Sequence, residues 1–199
     1  VPRVTLHLLP VGSTDIPRAD AEIARTIATL KTAQFEQDPL FDVGDSFKYS
    51  LMGSAVKREG KILEAAVMDA IAQHGHLRLI DVNRHLKRVP DVQFELLERG
   101  WMVALEIKRG SFHDAKSLRG FRRDLEDIPI ILQQASLSLF PPECVHFHIV
   151  FVGGVPRLKE GMTPEGLANL YGLRTRSHIM AARQRYSSAI KMVLRERGL

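Results

Sequence analysis

The chain has little of several things, and each shortage excludes a class of protein. Among 199 residues there is one cysteine, Cys144, so an internal disulfide framework and a multi-cysteine zinc ribbon are both excluded. No apolar run approaches the roughly 20 residues that cross a bilayer, and no signal-peptide pattern opens the sequence. These features point to a reducing, cytoplasmic setting with no membrane partner. There is one tryptophan and there are three tyrosines, no low-complexity tract and no internal repeat. What is present is ordinary globular usage, with 45% hydrophobic and 26% charged residues, which argues against disorder. A surplus of five positive charges is modest and matters only where basic residues cluster. The length suits one domain with a sizeable core, and we expect a single domain over 1–199.

Punctuation and periodicity set the order of elements. Residues 1–11 alternate like a short strand, and Asp15-Ile16-Pro17 reads as a cap and start signal for a helix to about Thr32. Residues 33–56, rich in Pro, Gly, Asp and Ser, read mainly as loop. A helical pattern runs from about Val56 to Gln73 and ends at His74-Gly75-His76. Val92–Leu97 and Trp101–Arg109 read as strands joined at Glu98-Arg99-Gly100, a hairpin signal. Helical material from about Asp114 to Phe140 carries a break signal at Pro129, and Val145–Val152 reads as a buried strand ended by Gly153-Gly154. Two further helices fit Pro164–Tyr171 and Ser177–Arg197. The order predicts an α/β fold with a mixed central sheet flanked by helices.

Chemistry concentrates in Val89-Pro90-Asp91 and Leu105-Glu106-Ile107-Lys108. Alternation along a strand puts Glu106 and Lys108 on one face and Leu105 and Ile107 on the other. A two-residue turn at Arg99-Gly100 places Asp91 opposite Lys108 and Gln93 opposite Glu106; a bulge could restore that register, whereas a three-residue turn would send Asp91 away. Two converging carboxylates are hard oxygen ligands for Mg²⁺ or Mn²⁺, and a nearby lysine can orient or deprotonate a water. Upstream, Glu64 shares a helical face with Val67, Met68 and Ile71, a costly place for a lone carboxylate. Glu59 and Asp69 lie elsewhere around that helix and read as surface charges.

Glu64, Pro90-Asp91 and Glu106-Ile107-Lys108 together resemble the signature of the PD-(D/E)xK nuclease superfamily, over about residues 57–154. The resemblance implies a restriction-endonuclease-like αβββαβ core and a Mg²⁺-dependent endonuclease, with Mn²⁺ as substitute. By position it implies Asp91 and Glu106 as metal ligands, Lys108 as catalytic lysine and Glu64 as auxiliary acidic ligand. The leading expectation is sequence-specific restriction of duplex DNA by a homodimer. Structure-specific, transposon-associated and RNA-cleaving nucleases, and a non-catalytic nucleic-acid-binding module, are the alternatives. Lys116, Arg119, Arg122 and Arg123, on the helix after the site, are candidate phosphate contacts, and Arg174, Arg176, Arg183, Arg185, Lys191, Arg195 and Arg197 form a second basic group. His146 and His148 share a strand face but lack a third ligand at helpful spacing, so they read as core or surface histidines, and His113 is not assigned a role.

Overall fold

A computed structural model describes residues 14–33, 42–81, 89–110, 115–136, 139–153 and 158–198, without the side chains of 115–118 and 136. The expected strand at 1–11 and His113 lie outside the described residues. Among those described, the order is α1 (Pro17–Thr32), α2 (Val43–Ala72), β1 (Leu77–Ile80), β2 (Val92–Leu96), β3 (Trp101–Lys108), α3 (Ala115–Ser136), a 3₁₀ turn (Pro142–Cys144), β4 (Val145–Phe151), α4 (Pro164–Tyr171) and α5 (Arg176–Glu196). The four strands form one mixed sheet in the order β1-β2-β3-β4. The first three are antiparallel neighbours, and β4 runs parallel to β3. Parallel neighbours need a crossover, and α3 supplies it.

Alternating side chains give the sheet two buried faces. Val92, Phe94, Val103, Leu105 and Ile107 pack against Leu63, Val67 and Ile71 of α2, with Leu167 and Tyr171 of α4 in the same cluster. Met102, Ala104, Phe147, Ile149 and Phe151 pack against Ile128 and Leu132 of α3. A third cluster joins α1, the other side of α2, and α5 through Ile23, Leu30, Leu51, Ile62, Ala66 and Ile190. Helix α2 is therefore covered on two sides, which blurs the single apolar stripe of a surface helix.

The structure departs from several expectations. Residues 43–56 are helix rather than loop, because Asp42 caps the start by accepting from Asp45 N at 2.8 Å and buried Leu51 and Ala55 anchor the segment. Burial of these side chains outweighs the cost of Gly44 and Gly53, about 1 kcal/mol each relative to alanine. Pro129 lies inside a continuous α3, held on either side by Ile128 and Leu132. Asp15 does not cap α1; Asp69 of α2 does, accepting from Arg18 N at 3.1 Å and Ala19 N at 3.0 Å. Asp69, read as a surface charge, is 1% exposed.

The end of β3 is tied to the rest of the fold by one side chain. Arg183 of α5 donates to Arg109 O at 3.1 Å, Val152 O at 3.2 Å and Glu59 Oε1 at 3.0 Å. Gly153 passes so close that a Cβ there would stand 2.3 Å from Arg109 O, so a side chain is excluded. Glu59 is thus no free surface charge: it pairs with both Arg183 and Arg109.

Candidate active site at the end of the central hairpin

The hairpin turn takes four residues, Leu97–Gly100, with Gly100 at φ 60°, and pairs Leu96 with Trp101. The observed register, Val92 with Leu105 and Gln93 with Ala104, is two residues away from the expected one. The cause is the longer turn: Arg99 N donates to Leu96 O and Gly100 takes the left-handed position that a side chain resists. A shift of two keeps every side chain on its face. Continued one step beyond the ladder, the register sets Asp91 beside Glu106, with Lys108 diagonal to it. The expected convergence therefore holds, with the partners exchanged.

Asp91 enters from the start of β2, where buried Pro90 precedes it. Its Oδ2 accepts from Ile107 N at 2.7 Å, so the carboxylate also closes the open end of the hairpin. Glu106 and Lys108 project from the α3 face of β3 and pair with each other. The Lys108 ammonium lies 5.3 Å from the ring centroid of Phe121 on α3, a cation–π contact that fixes its height above the sheet. Glu64 comes from α2, whose Leu63 and Val67 are locked under the sheet. Its side chain is only 13% exposed and accepts from Lys61 Nζ at 2.7 Å. Sequence reasoning missed Lys61; its position one turn before Glu64 was the available signal.

Three carboxyl groups thus lie at one end of the sheet, near enough that the ionisation of Glu64 and of Glu106 responds to Asp91. Burial first, then the Asp91 charge, pushes Glu64 up to about 7 against the pull of Lys61. Burial and Asp91 likewise raise Glu106, opposed by Lys108. The Lys61 ammonium is held above its ordinary value by Glu64, Asp91 and Glu106, which outweigh its own desolvation. Two lysines offset three acidic groups, so the cluster has room for further positive charge. Among the described residues, no three His, Cys, Asp or Glu side chains stand close enough together to hold an ion as they are placed. The oxygen donors nonetheless suit a hard divalent cation: Lys61 and Lys108 occupy the carboxylates that such an ion would claim.

The other candidates fall outside this cluster. Arg119, Arg122 and Arg123 are exposed on α3, on the side away from Phe121, Leu125, Ile128 and Leu132, which face the sheet. Lys116 lies within α3 but its side chain is outside the described residues. Of the second basic group, Arg183 and Arg185 are spent within the fold, Arg185 on Asp20 and Thr14 O. Arg197 stacks on Phe47 at 4.8 Å. His148 accepts or shares a proton with Tyr171 Oη at 2.5 Å and is pushed down to about 4 by burial, while His146 packs on Trp101 with ring centroids 4.6 Å apart. Both are half-buried and packed against aromatic neighbours. No described helix is long and apolar enough to cross a membrane. No family model matches the chain, and no curated protein matches it.

Proposed function

We propose that this chain is a divalent-metal-dependent endonuclease that hydrolyses phosphodiester bonds in DNA, built on a restriction-endonuclease-like αβββαβ core. The observation that carries the reading is the meeting of Glu64, Asp91 and Glu106 from α2, β2 and β3, two of them pushed up by burial and by Asp91 and countered only by Lys61 and Lys108. Perturbed ionisation of this kind clusters at functional sites, where burial and neighbouring charge are set against one another.

Asp91, Glu106 and Glu64 are the residues that would hold Mg²⁺ or Mn²⁺. Bound there, the ion would polarise the scissile phosphate and make a water acidic enough to attack at neutral pH. The chain's own groups supply the remainder. The Asp91 bond to Ile107 N anchors its carboxylate beside the residue that follows Glu106, keeping two donors on one short arc of the hairpin. Lys108, seated on Phe121, is positioned to orient the attacking water and to offset charge building on the phosphate oxygens. Half-buried Glu106 pairs with that lysine and holds it at the site.

Within this reading, restriction of duplex DNA by a homodimer is the leading role, since two-fold symmetry matches a palindrome and gives one centre per strand. The test is cleavage of long duplex DNA with Mg²⁺, beside Lys108→Ala and an EDTA arm. Discrete fragments that vanish in both controls are the expected result. A smear removes sequence-specific restriction and keeps the nuclease. Intact duplex, branched DNA and RNA alike would overturn the catalytic reading in favour of a structural cluster.

A further inference from the structure

We infer that the cleft between α1 and the β1–β2 side of the sheet is the track for a DNA strand, whose phosphates meet Arg25 and Lys61 on its helical wall. The inference rests on the nuclease reading and adds to it the path by which substrate reaches the site. The cleft has a volume of about 1090 Å³, and Glu64 and Asp91 of the candidate centre form part of its lining. Arg18, Glu22 and Arg25 line its α1 wall. Met68 and Leu79 add an apolar strip against which sugars and bases can rest.

The bonding of these cations separates them from the other basic residues. Among the described residues, Arg25 is 71% exposed and pairs with Glu22, three residues before it at 2.5 Å. Lys61 is 67% exposed and pairs with Glu64, three residues after it. In both pairs the cation lies mostly in water and is held by a single side chain, so it can exchange that carboxylate for a phosphate. Arg183, by contrast, is committed to two backbone carbonyls, and Arg18 is drawn to Asp69. The α3 arginines are on a helix face turned away from the sheet.

Charge adds a condition. Among the described residues the lining holds three cations, Arg18, Arg25 and Lys61, against four carboxylic acids, Glu22, Glu64, Asp81 and Asp91. A divalent ion at the carboxylates turns that balance toward a polyanion and releases Lys61 from Glu64. Strand binding, and not only cleavage, then requires the ion.

The experiment is fluorescence anisotropy with a labelled DNA single strand and its duplex, in a Lys108→Met background that spares the probe, with Mg²⁺ or with EDTA. Arg25→Glu and Lys61→Gln should each weaken Mg²⁺-supported binding about tenfold and lower the salt dependence by roughly one phosphate contact each. Lys191→Glu, the same charge change on the exposed side of α5, controls for net charge. EDTA should abolish binding to both probes. If Lys61→Gln shifts the melting temperature, Arg25→Glu carries the test alone. The inference is overturned if Arg122→Glu with Arg123→Glu carries the loss instead, if Lys191→Glu matches Arg25→Glu, or if EDTA leaves binding intact. Failure of the nuclease reading looks different: unmodified protein would bind through the cleft and cut nothing.

Discussion

Helix α2 carries two buried acidic residues five positions apart, and their surroundings could hardly differ more. Asp69 faces α1 and is satisfied by the Arg18 side chain and by two backbone N–H groups that cannot leave without unwinding a helix start. Glu64 faces the end of the sheet and is satisfied by one exposed lysine, while two other carboxylates push against it. The same division separates the cations. Arg183 is bound to backbone carbonyls of Arg109 and Val152, whereas the hydrogen-bond partners of Lys61 and Lys108 among the described residues are carboxylates. Charge matched by backbone belongs to the fold. Charge matched only by other movable charge is available for chemistry.

The largest expected effect tests the first half of that contrast. Asp69→Ala should cost about 2–3 kcal/mol by removing a buried cap and leaving two N–H groups unpaired, read as a shift in the chemical denaturation midpoint. A loss no larger than that of an exposed acid, such as Asp45→Ala, would break the comparison. Arg183→Met should follow at about 2 kcal/mol, because the carbonyls of Arg109 and Val152 lose this donor and Glu59 is left with Arg109.

Glu64 should behave in the opposite sense. Its folded value is raised to about 7 from an ordinary 4.5, so the folded chain holds this proton more tightly than the unfolded chain. Its contribution is intact below about pH 4.5, and stability is lost as pH climbs through about 7. Glu64→Gln removes the penalty. At about pH 8 without divalent ions the variant should be more stable by about 1–2 kcal/mol, a figure held down by the part of Glu64 still in water, and at about pH 4 the two should melt together. Added Mg²⁺ should stabilise the unsubstituted chain more than the variant and close the gap, measurable by thermal melts across pH. The smallest effect is Tyr171→Phe, which removes the hydroxyl from His148 and should cost about 1 kcal/mol with little change at the carboxylate cluster.

Much of the fold was legible because local rules and tertiary packing agree. The glycines and prolines that bound β2, β3 and β4 also bound them in the structure, and Pro17 starts α1 as expected. Where packing overrode local preference the reading failed. The glycines of 43–56 look like loop, but Leu51 and Ala55 are buried between α1 and α5. Pro129 looks like a break, but its neighbours are fastened to the sheet. The site was legible through parity: a register error of two residues left Asp91, Glu106 and Lys108 on one face, where an error of one would have scattered them.

The sequence by itself determined the order of helices and strands, the face each strand side chain takes, and the acid–lysine set of Glu64, Asp91, Glu106 and Lys108, because periodicity and spacing are properties of the chain alone. Only the tertiary structure decided which charges are spent and which are held in reserve. Asp69 and Glu64, or Arg183 and Arg25, look alike in sequence. They are told apart by what other elements bring within hydrogen-bond reach of them, and that depends on packing between segments far apart along the chain.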